Sequence, residues 1–209
     1  MMSLSETLDD SAVANGDSVA PTRIDDPEHR ARHALRRADT EGALEVLMEA
    51  YGTAVYRYCL HLLGDSELAE EVHQTTFIQA FDGLRGFLGK STLQTWLFGI
   101  ARHRCLDAAK VRRRRESRFE LADTVPERPA PSPGPDEELS ARRHLDALTE
   151  CLANLGPQVR DSILLRFQQG LSYVEMSRLS GEQAPTLRAR VVRALPALKQ
   201  CLEQKGATP

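Results

Sequence analysis

Between Glu116 and Ser140 the chain carries five of its eleven prolines, together with seven acids and two bases. Proline removes a backbone donor and fixes φ, so such a stretch can continue neither a helix nor a paired strand. It reads as an extended linker that divides the 209 residues into two pieces. Each piece is long enough for a small domain only.

Both pieces show helical periodicity. Leu44, Leu47, Met48, Tyr51, Val55, Tyr58, Cys59 and Leu62 recur at spacings of three and four, which places them on one face of an α-helix. Gly64 ends that helix, and Asp65 or Ser66 can cap a second one running to about Leu84, with Leu68, Val72, Phe77, Ala80 and Phe81 inward. Gly83, Gly86 and Gly89 mark a loop to Lys90. Ser91, with Gln94 three residues on, forms a capping-box pattern for a third helix, whose apolar face is Leu93, Trp96, Leu97, Ile100 and Ala101. Trp96 reads as a core residue rather than a base-stacking platform. Pro27 to Asp39 can form a short basic helix, and residues 1–26 are too acidic and apolar-poor to fold alone.

In the second piece Leu145, Leu148, Leu152 and Leu155 precede a Gly156-Pro157 stop, and Val159, Ile163, Leu164 and Phe167 follow on a helix ending at Gly170. Ser172 and Glu175 form another capping box for a short helix to about Leu179. Gly181 makes a turn, and Pro185 suits the first turn of a last helix with Leu187, Val191, Ala194 and Leu195 inward. Pro196 should kink or end that helix. A short helix, a glycine turn and a basic helix make a helix-turn-helix pattern. Its outward positions are Thr186, Arg188, Ala189, Arg190, Val192 and Arg193. Arginine forks read guanine edges or clamp phosphates, so Arg188 is the base reader, with Arg190 and Arg193 nearer the DNA backbone.

The formal charge of -3 averages over segments of opposite sign. Arg102 to Arg115 holds seven bases and one acid, and the chain from Arg142 holds ten bases and six acids. A polyanion responds to such local potential rather than to the total, and Arg112 and Arg113 are placed to meet phosphates. Cys59, Cys105, Cys151 and Cys201 form no C-x-x-C pair and read as buried thiols. His29 and His33 lack a third ligand, so no metal is expected. No cofactor is expected either, since no phosphate-cradling glycine loop, nucleophile elbow or clustered carboxylate pair of the catalytic kind is apparent, which argues against an enzyme. With no signal peptide or membrane-length apolar run, the expectation is a cytoplasmic protein without membrane insertion.

The order of motifs resembles one family, the extracytoplasmic-function sigma factors. Leu63-Gly64-Asp65 through Glu70-Glu71-Val72-His73-Gln74-Thr75-Thr76-Phe77 is similar to that family's polymerase-gripping helix. Phe87-Leu88-Gly89-Lys90-Ser91 and Thr95-Trp96-Leu97-Phe98-Gly99-Ile100-Ala101-Arg102-His103 resemble its minus-ten loop and helix. Arg166 to Met176 and Thr186 to Arg190 resemble its upstream-element domain. The likeness runs from about Asp39 to Glu203. Leu88 stands where the family often has Arg, and His103 where Asn is frequent.

The resemblance implies an all-α fold of two helical domains. A region-2-like domain at 27–115 and a region-4-like helix-turn-helix domain at 141–204 would flank a linker at 116–140. Asp65, Glu70, Glu71 and Gln74 would dock on core RNA polymerase. Phe87, Leu88, Gly89, Lys90, Ser91 and His103 would hold an extruded minus-ten base, with Arg112 and Arg113 on the DNA nearby. The second domain would read the minus-thirty-five element of promoter DNA. The resemblance also implies an anti-sigma protein as partner and a monomer when free. Rival readings are a helix-turn-helix regulator acting without polymerase, a metal or thiol switch on His29, His33 and the cysteines, and a protein-only adaptor.

Overall fold

The computed structural model describes residues 26–119 and 146–207, and every regular element there is helical. The acidic N-terminal tail, the linker from residue 120 onward and Leu145 lie outside the described residues. Four helices form the first group: α1 (Pro27–Arg36), α2 (Thr40–Leu63), α3 (Ser66–Leu84) and α4 (Leu93–Phe119). Local chemistry sets their starts. Asp26, Asp39 and Asp65 each turn a carboxylate onto a free N–H of the first turn, from Glu28 (3.3 Å), Gly42 (2.8 Å) and Leu68 (2.9 Å). Gly64 closes α2 in the left-handed region at φ 69°. Helix α4 runs to Phe119, past the Arg115 end expected from the proline-rich composition.

Two local expectations are corrected. Ser91 does not cap α4; Thr92 does, its hydroxyl accepting from Thr95 N–H at 3.0 Å. Gly83 belongs to α3 rather than to the following loop, and a Cβ there would stand 3.0 Å from the Trp96 ring. Its bare Cα lets Trp96 of α4 lie close against α3. Trp96 is accordingly a partly buried packing residue, and Phe98 is fully buried edge-on to Tyr58, with ring centroids 5.7 Å apart.

The second group comprises α5 (described over 146–153), α6 (Pro157–Ile163) continued by a π-helical turn (Leu164–Gln168), α7 (Tyr173–Ser180) and α8 (Ala184–Gln204). The Ser172–Glu175 capping box is present in full, and Gly181 ends α7 at φ 73°. The π-turn inserts extra backbone per turn and rotates the side chains. Leu164 and Leu165 therefore turn inward, while Phe167, expected inside, is 58% exposed. The inward stripe of α8 is Leu187, Val191, Ala194 and Leu198, which leaves Leu195 at the edge. Helix α8 continues through Pro196 to Gln204. Val192 and Pro196 both lie on its exposed side, so water can satisfy the carbonyl that proline leaves without a donor.

The cysteines divide into two kinds. Cys59 and Cys105 are buried thiols as expected, and a hydrogen bond with Cys59 together with burial pushes the Cys105 thiol up. Cys151 of α5 and Cys201 of α8, expected as thiols, are instead joined in a disulfide with Cα atoms 5.8 Å apart. Fifty residues separate them in sequence, and only the packing of α5 along the C-terminal half of α8 makes them neighbours.

One apolar core runs through both groups, joining Tyr58, Leu97, Phe98 and Ala101 to Ile163, Leu164 and Met176. A smaller cluster of Ala31, Ala43, Leu47, Leu84 and Leu93 fixes α1 to the junction of α2, α3 and α4.

Candidate nucleic-acid interface

The loop between α3 and α4 is held at its base and free at its tip. On α1, the Glu28 carboxylate accepts the Leu93 N–H at 2.7 and 3.0 Å and pairs with Arg32 Nε at 2.5 Å. Arg32 donates on to the Ser91 carbonyl at 2.9 Å and lies 5.3 Å over the Phe87 ring. Phe87 packs in turn on Trp96, with centroids 5.4 Å apart. Phe87 and Ser91 are therefore half-buried anchors. Leu88, 77% exposed, and the exposed Gly89 and Lys90 form the projecting tip. Gly89 takes φ +70°, a conformation that side chains rarely adopt.

His103 stands exposed on α4, with Nδ1 3.2 Å from Asp107. It borders, with Lys90, Ser91 and Trp96, a cavity of about 760 Å³ whose far wall is Arg178 and Leu179 of α7. The arginine run at the end of α4 divides by role. Arg112 is half-buried and donates to the Leu63 carbonyl at 3.0 Å, helping to cap the C-terminus of α2, whereas Arg113 is exposed.

On α3, Glu70, Glu71 and Gln74 are all exposed at helical spacing and share one acidic-polar face. Asp65 is the N-cap of that helix. His73 faces elsewhere: it contacts the Gly52 carbonyl at 3.1 Å and stacks edge-on to Phe77 at 5.1 Å.

The outer face of α8 presents Thr186, Arg188, Ala189, Val192 and Arg193. Arg193 also donates to the Ala189 carbonyl one turn back, at 3.1 Å. Arg190 does not stand outward with them. Its guanidinium forks onto both Glu182 oxygens, at 2.9 Å for one, and reaches Ser162 Oγ at 3.2 Å. The paired Arg190 holds the Glu182 carboxyl below its usual range. An arginine that locks the α7–α8 turn into position is withdrawn from the outer face of α8.

Residues 47–116 match the family model for sigma-70 region 2, a span that contains α3, the loop and α4 up to Glu116. The chain is 32% identical over 166 residues to the ECF RNA polymerase sigma factor SigC of Mycobacterium tuberculosis, covering 79% of this chain and 86% of that one. The chain belongs to the extracytoplasmic-function sigma factors. The fold of this sigma factor is also that of solved relatives. The sigma factor RpoE, solved with the anti-sigma factor NepR from Bartonella quintana, matches at TM-score 0.61 and 24% identity, over 75% of this chain and 94% of that one. CnrH, solved with the cytosolic domain of CnrY, matches at TM-score 0.62 and 22% identity, over 86% and 99%.

Several residues that shape this sigma factor escaped sequence reasoning. Glu28 and Arg32 lie in a segment read only as a short basic helix, yet they anchor the loop. Sequence reasoning did not single out Asp161 or Arg160, and met Arg102 only within a basic run and a family motif. Arg160 in fact donates to the carbonyls of Leu152 (2.8 Å), Ala153 (2.7 Å), Leu155 (3.2 Å) and Leu62 (2.9 Å), gathering the ends of α5 and α2. The one available signal for Asp161 was an acid on a stripe next to Ile163 and Leu164, a buried carboxylate in search of cations.

Proposed function

We propose that this chain binds core RNA polymerase and directs promoter-specific initiation, without catalysis of its own. The observation that carries this reading is the pairing of two exposed features on one rigid helical unit: the Leu88–Lys90 tip near His103, and the Glu70–Glu71–Gln74 face of α3. The α3 face docks on the polymerase, with Asp65 setting the start of the helix. The tip, with Phe87 and Ser91 as its anchors, takes an unstacked minus-ten base. A surface that accepts the extruded base offsets the cost of opening the duplex. Arg113 meets phosphate nearby, and Arg112 acts through the end of α2.

The helix-turn-helix of α7 and α8 reads the minus-thirty-five element. Arg188 contacts a base edge, and Thr186, Ala189, Val192 and Arg193 fill the groove and backbone contacts. The domains are 27–115 and 141–204 about a linker at 116–140. The protein works in the cytoplasm as a monomer until it meets polymerase, under an anti-sigma partner. No described helix is long and apolar enough to cross a membrane. Among the described residues no three His, Cys, Asp or Glu side chains cluster to hold a metal.

Run-off transcription with purified core polymerase on a genomic promoter library tests the proposal. Discrete transcripts that require this protein are expected. Their absence, with no binding to core polymerase, would leave the regulator acting without polymerase as the better account.

A further inference from the structure

The disulfide braces a weak point of α8. That helix passes through Pro196, which has no N–H to offer the Val192 carbonyl, so its hydrogen-bond ladder is interrupted there. The interruption separates the half that carries Arg188 from the half that carries Cys201. Beyond it, α8 turns Leu198 inward with Cys201 and Leu202 half-buried, and α5 brings Cys151 and Leu152 to the same core. The polar ties flanking the disulfide lie at the surface: Lys205 pairs with Glu150, and the Asn154 amide donates to Cys201 Sγ at 3.8 Å. Such exposed pairs contribute little. A helical group of about sixty residues buries too little apolar surface to be indifferent to one cross-link.

The two sulfurs are not equivalent. Cys151 is 1% exposed, whereas Cys201 is only partly covered, so an incoming sulfur meets Cys201 first. The other thiols, Cys59 and Cys105, are fully buried and stay out of exchange. In the cytoplasm, where the proposed function places the protein, thiols are kept reduced, and a protein disulfide is characteristically transient and redox-sensing.

We propose that Cys151 and Cys201 form a reversible redox site, at which a small-molecule disulfide oxidises the pair through Cys201 and so fixes α8 for upstream-element reading. The Cys201 thiolate attacks one sulfur of the small disulfide and releases the first small thiol. The Cys151 thiolate then attacks Cys201 Sγ and releases the second. The protein gives up two electrons and two protons, and the two small thiols carry them away. A reducing thiol runs the same steps backward, again entering at Cys201. In the dithiol form α5 and residues 197–204 open more often, and affinity for the upstream element falls with the competent fraction. This effect on output rests on the promoter reading given above, whereas the exchange chemistry does not.

The test uses the full chain, purified reduced and without oxygen, then treated with oxidised glutathione. Thiols alkylated after denaturation are counted by mass spectrometry. All four cysteines should be alkylated before treatment, and only Cys59 and Cys105 after it. Cys151→Ser should accumulate a glutathione adduct on Cys201, and Cys201→Ser should leave Cys151 unmodified. Amide hydrogen exchange should be slower in 146–153 and 197–204 for the oxidised protein. In run-off transcription with limiting protein, the oxidised form should give on the order of fivefold more transcript than the reduced form. The Cys151→Ser/Cys201→Ser protein should match the reduced form after either treatment. An undiminished thiol count after glutathione treatment overturns the site. Disulfide formation with equal hydrogen exchange and equal transcript overturns its control of α8. A failure of the promoter reading looks different: neither form would yield transcript, while hydrogen exchange would still decide whether oxidation fixes α8.

Discussion

The Glu28 carboxylate of α1 accepts the Leu93 N–H at the start of α4, across 65 residues of sequence, at 2.7 Å. A free N–H in the first turn of a helix is an orphan donor at the positive end of the dipole, and a carboxylate from another helix meets both needs. Glu28→Ala would strand that donor and release Arg32 from its pair. A loss of about 1–3 kcal/mol in stability is expected, read by urea denaturation. Promoter opening should fall as well, because Arg32 also holds Ser91 and Phe87. A Glu28→Ala protein with unchanged stability and normal promoter opening would remove α1 from the account of the loop.

Arg188 and Arg190 are two residues apart on α8 and have different work. Arg188→Ala should relax one base preference in the upstream element by about 1–3 kcal/mol if its contact is bidentate, with the melting temperature unchanged. Arg190→Ala should leave base preference alone and destabilise the fold by about 1–2 kcal/mol, since Glu182 and Ser162 lose their partner. Selection of binding sites from a randomised library, beside thermal melts, separates the two. Altered base preference in Arg190→Ala would contradict the inward assignment.

That contrast shows what sequence could and could not give. The periodic stripes, the Ser172–Glu175 capping box, the Gly64 and Gly181 stops and the helix-turn-helix follow from local rules, and each was legible. Family resemblance is what singled out the loop and the α3 face as candidates. What failed was long-range. Arg190 looked outward because periodicity does not show that Glu182 waits beside it. Phe167 looked inward because the rotation of a π-turn has no sequence signature. Cys151 and Cys201 looked like separate thiols because their adjacency belongs to packing. The Leu63 carbonyl that Arg112 reaches is likewise 49 residues away, a contact that no local rule announces.

Glu71 is exposed on α3 and makes no part of the core. Reversing its charge with Glu71→Lys should weaken binding to core polymerase on the order of tenfold or more, as a like-charge clash at an interface does. Circular dichroism and melting should match the wild type. Full affinity for core polymerase in a titration would show that the α3 face is not the docking surface.

The disulfide between Cys151 and Cys201 closes a loop across most of the second helical group. Reduction frees the unfolded chain of that constraint, and a loop of this length corresponds to about 2–4 kcal/mol. Dithiothreitol should therefore lower the melting transition of the wild type. The Cys151→Ser/Cys201→Ser protein should melt at the lower value with or without reductant. If dithiothreitol shifts the double variant equally, the effect lies elsewhere, with Cys59 and Cys105 the remaining thiols.

His61 near the end of α2 faces Gln168 of the second group, with Nδ1 3.4 Å from Oε1. Burial lowers its pKa from 6.5, and the nearby Arg57 charge lowers it further against the hydrogen bond that the ring makes to the Gln168 amide oxygen. The unfolded chain therefore takes up this proton at a higher pH than the folded one does. The stability that His61 contributes is complete above about 6.5 and is lost as pH falls through the lower folded value. Because Gln168 lies across the boundary between the groups, the same proton should also favour their separation. His61→Gln keeps a side chain able to bond Gln168 but cannot titrate. Urea midpoints at pH 7.5 and 5.5 should fall more in the wild type than in this variant, while every other titration is common to both. Equal falls in the two proteins would mean that His61 titrates as freely folded as unfolded, and that acid acts on the molecule through other groups.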